Sequence, residues 1–536
     1  MQYGGNDVNN YPFYEPHKIE TLKELVEVAA KAYGEKTAFQ FEQKRTMICV
    51  SYTAFQKTVE DLGTYLRHKG YTQHRIALLG ENSYAWILSH FAVACSGNVV
   101  VPIDKELSAA EALELINASE CSALICSRTY WDIAEFVRET GMPVYGMDQL
   151  DWMVEEGCSF CEGNDETEAY VPGKDDLATI VFTSGTTGQS KGVMLTHGNL
   201  AVDAYGAACS VCLEGTTLLL LPLHHTFGLV ASVYFEMLRG NTVYINKSLK
   251  RLTDDLKKSK PQHLMAVPLI ADQLCRGIWA NAKKQKKDCL LRILVHISNA
   301  LRVVGIDVRR KLFRTVHQAF GGNLECVVSG GAPISEETIK TLDEFGIQVL
   351  NGYGITECAP IVAVNRNRFV VPGSVGVPLI CNEVRIAEDG EVLVRGANVM
   401  QGYYRNEQAT KVAFDGEWFR TGDLGRIDEH GALHIVGRKK NLIILSNGEN
   451  IPAEELEMKL MALPGVLEAI VSGKNDTIAA ELYLDPDQPD AKNVISELIQ
   501  NMNKTLPQNR NIAEYTLRSE PFPKTTTKKI KRESRG

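Results

Sequence analysis

The 536-residue sequence contains no run of 18 apolar residues; its oiliest stretches are cut by charges or by His224 and His225. That excludes a membrane-spanning helix. The first residues, MQYGGNDVNNYPFYEP, lack the basic and apolar regions of a secretory signal. The expectation is therefore a cytoplasmic protein whose 13 cysteines are reduced thiols. An excess of positive charge is missing too: the net charge of −9 argues against a general nucleic-acid binder. No Walker A spacing, GxxxxGK(S/T), occurs. Two CxxC pairs, Cys158/Cys161 and Cys209/Cys212, have neither a nearby histidine nor a matching spacing. A zinc centre needs four convergent ligands, so none is expected from them.

What remains is an ordinary globular composition, 44% apolar and 23% charged. Its length suits two to four domains at roughly 150 residues each. The stretch from Thr179 to Asn199 dominates the reading. Ile180–Phe182 reads as the end of a strand, followed by Thr183, Ser184, Gly185, Thr186, Thr187 and Gly188, then Lys191. Small hydroxyl residues and glycines in a tight loop present many donors and let an anion reach the backbone. The lysine adds a point charge for phosphate. By itself the stretch also fits a plain surface turn.

Before that loop the pattern is β-α-β. Helices are expected over 19–33, Tyr52–Lys69, Tyr84–Ser96 and Ala109–Asn117. Strands are expected at Thr37–Phe41, Met47–Ser51, Arg75–Leu79, Val99–Pro102 and Ala123–Cys126. After it, Leu218–Leu223 reads as one continuous strand running into His224-His225-Thr226-Phe227-Gly228. Strand ends are where open parallel sheets bind ligands. Residues 271–320 read as helical and basic: ten cations against Asp288 and Asp307 from Trp279 to Arg314, interleaved with apolar residues. Such a segment suits peripheral contact with an anionic membrane over 279–314, at its inner face. A solvated helix pair with one buried face is the simpler reading of the same pattern and the favoured one.

Two nucleotide-binding candidates follow. Cys326–Ser329 reads as a strand leading to Gly330, Gly331, Ala332 and Pro333 at a helix start, where paired glycines let a flat base approach the backbone. Val349–Asn351 leads into Gly352, Tyr353, Gly354, Ile355, Thr356 and Glu357. Tyr353 can stack on a base, Thr356 can donate to phosphate, and Glu357 can hold Mg²⁺. Residues 373–437 then read as a small β-subdomain with turns at Asp389-Gly390 and His430-Gly431. It carries Thr421-Gly422-Asp423-Leu424-Gly425, in which one carboxylate, Asp423, can accept both hydroxyls of a ribose. Arg438 offers a forked donor to ribose or phosphate. Beyond it, Leu442–Leu445, a loop over 446–452, the helix Ala453–Leu463, the strands Val466–Ser472 and Thr477–Leu484, and a helix over 491–505 read as a small α+β domain.

Together and in this order, these motifs resemble the adenylate-forming superfamily, and the basic helices are similar to those of bacterial long-chain fatty acid–CoA ligases. The resemblance covers nearly the whole chain. It implies an α/β fold: a large N-terminal domain (1–438) of two α/β subdomains plus the β-subdomain, followed by a small mobile α+β lid (439–536). It places His225 at the carboxylate pocket, Lys440 at the hinge and Gly448 beside the channel for a pantetheine thiol. The tail Lys528-Lys529-Ile530-Lys531-Arg532 is similar to the family's last motif, which makes Lys529 the catalytic lysine; a glycine is commoner at the position of Lys528, which leaves Lys528 as the alternative. Amino-acid-activating relatives typically carry an Asp a few residues after the position of His225. Here Phe227–Ser232 is apolar or neutral, which disfavours an amino-acid substrate.

The implied activity uses ATP, Mg²⁺ and CoA: a medium- or long-chain fatty acid is converted to acyl-AMP and then to acyl-CoA, with release of AMP and pyrophosphate. An acyl-AMP ligase that loads a separate acyl carrier protein is the alternative. No carrier segment follows Lys529 in the sequence. A luciferase-like oxygenase is a rarer outcome of the same motifs. Chain length of the acid and oligomeric state are not written in these residues.

Overall fold

A computed structural model describes residues 13–162, 170–184, 190–246, 248–445, 450–474, 476–486, 488, 490–524, 530 and 532; the side chains of Cys161, Glu162 and Ser184 fall outside the description. The protein is mixed α/β. Two large sheets carry the N-terminal part. One has seven strands in the order Gly402–Tyr403, Ser190–Thr196, Leu177–Ser184, Val99–Pro102, Arg75–Leu79, Ala123–Cys126 and Val144–Gly146. The other has nine: Val377–Pro378, Ile361–Val364, Gln348–Gly354, Cys326–Ser329, His263–Ala266, Thr216–Leu219, Thr242–Ile245, Thr37–Gln43 and Thr46–Ser51. The interior pairings are mainly parallel and the antiparallel ones lie toward the edges, although the edge strand Val144–Gly146 pairs parallel with Ala123–Cys126. Parallel strands need crossover helices, so both faces are covered and the strands read as continuous apolar runs.

The helices begin where the sequence provides caps. Thr21 and Ser51 accept backbone N–H groups at the starts of Leu22–Tyr33 and Tyr52–His68. Ser108 and Glu111 form a reciprocal capping box on Ala109–Ala118. The helix His197–Ser210 is almost wholly buried. Ala201, Ala204, Ala207 and Ala208 are among its buried residues, and small side chains let neighbouring elements approach closely. A Cβ on Gly206 would sit 3.1 Å from the Cys381 sulfur.

Several expectations shift. The strand expected over Leu218–Leu223 ends at Leu219. Beyond it the chain leaves the sheet, and Asn82 replaces a neighbouring strand: its Nδ2 donates to Leu221 O at 2.7 Å and its Oδ1 accepts from Leu223 N at 3.1 Å. Gly331–Pro333 do not open a helix directly. The helix is Glu336–Glu344, capped by the Ser335 hydroxyl. The expected loop over 446–452 ends in a strand, Asn450–Pro452, paired with Leu442–Ile444.

Residues 382–438 contain a five-stranded antiparallel sheet. Two strands of the 373–437 stretch belong elsewhere, because Val377–Pro378 joins the nine-stranded sheet and Gly402–Tyr403 the seven-stranded one. Further on, Val466–Lys474, Thr477–Leu484 and Ile512–Arg518 form a three-stranded sheet. Its apolar side shares a core of its own with Ile443, Leu456, Leu460, Ile495 and Ile499. Ile512–Arg518 lies parallel to its neighbour, a pairing that no local turn signal announces. No described helix is long and apolar enough to cross a membrane.

Candidate active site

The candidate residues sit where strands of both sheets end. Thr183 and Lys191 face each other across the hairpin formed by Leu177–Ser184 and Ser190–Thr196. Gly185, Thr186, Thr187 and Gly188, at its tip, lie outside the described residues. The outgoing strand is pinned by Gly402–Tyr403, which pairs with Met194 and Val193, and by Tyr404 N donating to Gly192 O at 2.7 Å.

That pinning brings in a residue that pattern reading missed. The Lys191 ammonium lies 4.9 Å from the centroid of the Tyr403 ring. The Tyr403 hydroxyl donates to Glu357 Oε1 at 2.9 Å. Burial, and then the Glu357 carboxylate, push the Tyr403 phenol up, so it stays a neutral donor. Glu357 is half-buried in the short turn Thr356–Cys358, and its carbonyl accepts from Met400 N at 2.8 Å. A fixed, partly accessible carboxylate, linked through Tyr403 to Lys191, is a hard oxygen donor of the kind Mg²⁺ takes, so the residues present fit that ion.

The turn has a buried anchor. Asp203, fully buried on the helix His197–Ser210, accepts from Ile361 N at 3.2 Å and from Asn398 Nδ2 at 2.9 Å. Asn398 Nδ2 also reaches the carbonyl of Cys358 at 2.8 Å and that of Ile361 at 3.1 Å. Burial holds the Asp203 carboxyl well above the usual carboxylate range. No local motif marks either residue, because their partners are more than thirty positions away.

At the nucleotide motifs, Tyr353 Oη donates to Asp423 Oδ2 at 2.6 Å, and Arg438 Nε meets Asp423 Oδ1 at 2.9 Å. Asp423 and Arg438 are register partners on adjacent strands, which is why their side chains meet. Gly422 has φ +69°, a turn conformation that costs glycine little. Asn351 donates through Nδ2 to Ser374 O at 3.1 Å, but its Oδ1 is buried without a hydrogen-bond partner. Gly331 has φ +83° and, with Gly352, Tyr353 and Gly354, lines the mouth of an apolar cavity. Ala332 and Pro333 continue the loop to Ser335, and both are exposed. The cavity runs inward between Ala207, Val211, Phe227, Ala231, Phe235 and Met265. His225 does not line it; its ring lies 4.2 Å from that of His224.

At the expected domain junction, Lys439 is held to the five-stranded sheet by Asp389 and Glu391, the latter at 2.9 Å. Lys440 is exposed along part of its length; desolvation of its ammonium, then Arg438 and Arg532, draw that group down. Gly448, Lys528 and Lys529 lie outside the described residues. Cys209 is buried and Cys212 sits against Arg239, while Cys158 lies 3.8 Å from the Lys57 ammonium. The cysteines form no metal cluster among the described residues.

A family model described as "AMP-binding enzyme" matches residues 26–404. The chain belongs to the AMP-binding enzyme family. Among the relatives of this AMP-binding enzyme is the long-chain-fatty-acid–CoA ligase FadD15 of Mycobacterium bovis, 32% identical over 440 residues, covering 77% of this chain and 73% of that protein. The long-chain-fatty-acid–CoA ligase 5 of Rattus norvegicus is 29% identical over 476 residues, covering 80% and 69%. In fold, the AMP-binding enzyme is similar to o-succinylbenzoate CoA synthetase from Bacillus subtilis, solved with its acyl-adenylate intermediate. The TM-score is 0.75 at 24% identity, over 94% of this chain and 96% of that one.

Proposed function

We propose that this enzyme is an AMP-forming acid–thiol ligase that activates a medium- or long-chain fatty acid with ATP and passes the acyl group to CoA. The observation that carries the reading is the cavity: apolar walls lead to a mouth made of Gly331, Gly352, Tyr353 and Gly354, beside Asp423 and the Thr356–Glu357 turn. A greasy tail buried there would leave its carboxylate at the nucleotide motifs. The names of the relatives support the same substrate class.

A carboxylate is a poor acyl donor because its leaving group is oxide. Attack of the carboxylate oxygen on the α-phosphorus of ATP forms the acyl–O–P bond and expels pyrophosphate. Thiolate attack on the acyl carbon then forms the thioester and expels AMP. The first step needs alignment and charge neutralisation. Thr183, Ser184, Gly185, Thr186, Thr187, Gly188 and Lys191 would hold the outer phosphates, and Thr356 the α-phosphate. Glu357 would hold Mg²⁺, which would supply further charge neutralisation at the triphosphate. Asp423 and Arg438 would take the ribose, with Tyr353 against the base; the unpaired Asn351 oxygen suits an exocyclic amine. Gly331, Ala332 and Pro333 would border the base on its other side, and His225 would face the reacting carboxylate from the rim. Lys529, or Lys528 beside it, would bridge the carboxylate and the α-phosphate on a lid comprising 439–536. Rotation about Lys440 would withdraw it and bring Gly448 to the thiol channel, so one site serves two reactions in turn.

ATP–pyrophosphate exchange across a fatty-acid series tests the first step, and CoA-dependent AMP release the second. Background exchange with every acid would remove the proposal. Exchange that is normal but indifferent to CoA, with transfer to an acyl carrier protein, would change the acceptor. Lys529→Ala should abolish exchange and spare thioester formation from supplied acyl-AMP; equal loss of both contradicts its role.

Peripheral membrane contact at 279–314 is part of the same reading. The helix Asp288–Val303 buries Val295 and Ser298 but exposes Leu290 (52%), Ile293 (50%) and Ile297 (48%). Lys283, Lys284, Lys286 and Lys287, all exposed, precede it. An apolar row beside cations matches an anionic lipid surface, where the substrate also partitions. Replacing Leu290, Ile293 and Ile297 together by Ser should reduce co-sedimentation with phosphatidylglycerol vesicles; unchanged sedimentation rejects the contact.

A further inference from the structure

Asp104, His224 and His225 converge from different parts of the fold, and none of the chemistry above uses all three. Asp104 follows the strand Val99–Pro102 of the seven-stranded sheet, and His224 follows Thr216–Leu219 of the nine-stranded one. Asn82 holds the segment leading to His224 in place by bracketing Leu221 and Leu223. One ligand atom from each of the three residues lies within 4.8 Å of the other two. His224 Nε2 is 3.4 Å from Asp104 Oδ1. That is about the edge of a tetrahedron with metal–ligand bonds of ~2.0–2.1 Å.

The decisive atom is His224 Nε2. The residue is only 6% exposed, and this nitrogen is buried without a hydrogen-bond partner, facing Asp104. A buried polar atom of this kind costs stability unless something satisfies it. Asp104 Oδ1 is already oriented by the Glu106 N–H at 3.0 Å.

We propose that Asp104, His224 and His225 form a two-histidine, one-carboxylate site for a borderline divalent transition ion of the Zn²⁺ class. Two imidazoles and one carboxylate select such an ion over Mg²⁺, which takes oxygen ligands, so the site is chemically distinct from that at Glu357. An ion here fixes His225, the residue proposed above to face the reacting carboxylate. This consequence for turnover rests on the proposed adenylation; the binding itself does not.

The test titrates Co²⁺, as a spectroscopic stand-in for Zn²⁺, into the full chain freed of metal by chelator and kept in saturating Mg²⁺. Expected are about one equivalent bound with d–d bands and no thiolate charge-transfer absorption, displacement by Zn²⁺, and binding weakened about tenfold or more in Asp104→Asn and His224→Gln. Asp104→Asn keeps the acceptor for Glu106, and its melting temperature without metal checks the fold. Zn²⁺ should also inhibit pyrophosphate exchange by a larger factor in the wild type than in Asp104→Asn. Wild-type affinity in Asp104→Asn, absence of Co²⁺ binding, or thiolate absorption that disappears in Cys212→Ser would each overturn the site. A bridging water only is then the occupant. If no acid supports exchange, the adenylation reading fails while the Co²⁺ spectrum still decides the metal site.

Discussion

Tyr353 and Asp423, seventy residues apart, share a 2.6 Å hydrogen bond in which the phenol donates to the carboxylate. With Arg438 on the other oxygen, Asp423 is held in one orientation by two side chains. A ribose bound there meets an acceptor that is already placed, which lowers the ordering cost of binding. Asp423→Ala should therefore raise the KM for ATP and lower kcat/KM by roughly 10- to 100-fold, about 1.4–2.7 kcal/mol. Steady-state kinetics over an ATP series checks this; an unchanged KM for ATP removes the ribose assignment.

The Lys191–Tyr403–Glu357 chain makes a separable prediction. Tyr403→Phe keeps the ring under Lys191 and deletes only the donor to Glu357. The Mg²⁺ concentration for half-maximal pyrophosphate exchange should rise about tenfold, as when a group orienting a metal ligand is lost. Tyr403→Ala should add a weaker apparent affinity for ATP. Equal Mg²⁺ dependence in Tyr403→Phe and wild type would detach the tyrosine from the metal.

Asp203 holds the Thr356–Glu357 turn from below. Asp203→Ala leaves the Ile361 N–H and the Asn398 amide without this acceptor in a dry site, at about 1–3 kcal/mol. Asp203→Asn retains one acceptor oxygen and, because the native carboxyl is held toward its neutral form, should cost less. Denaturant unfolding of the two variants gives the order; a more damaging Asn would contradict the neutral carboxyl.

Stability should fall in mild acid. Burial lowers His90 to about 3 and His197 to about 4 from an ordinary 6.5. His197 Nδ1 accepts the Leu22 N–H at 3.3 Å, which a protonated nitrogen cannot do. Below pH 6.5 the unfolded chain takes up protons that the folded one refuses. The stabilisation is thus complete above 6.5 and is lost as pH falls toward about 4, on the order of 2 kcal/mol per histidine by pH 5. Unfolding free energies at pH 7.5, 6 and 5 measure it; a flat profile, or a slope unchanged in His197→Gln, would exclude this origin.

The cavity predicts chain-length control. Ala231 is a buried residue of its wall. Ala231→Trp should shift preference toward shorter acids, with kcat/KM for the longest falling more than about tenfold. Equal loss across the series would mean that the tail lies elsewhere.

Local chemistry was enough for much of this. Caps such as Ser51 and Ser108, the period of the helices and the apolar runs of parallel strands are properties of neighbouring residues, so these elements stand where the pattern placed them. The ordered motifs likewise carried Thr183, Lys191, Tyr353, Thr356, Glu357, Asp423 and Arg438, because each sits in a short signature. The strand over Leu218–Leu223 was read too long, since only the side chain of Asn82, more than a hundred residues away, draws the chain out of the sheet. Tyr403, Asp203 and Asn398 gave no signal for the same reason: their partners come from other sheets and helices. By itself the sequence determined the class of fold and which polar groups are candidates for the site, since hydrogen-bonding capacity and hydrophobic period are local. Tertiary structure alone decided that Phe227 lines the cavity while His225 turns to His224, because which side chains share a space depends on how two sheets and the helix His197–Ser210 pack.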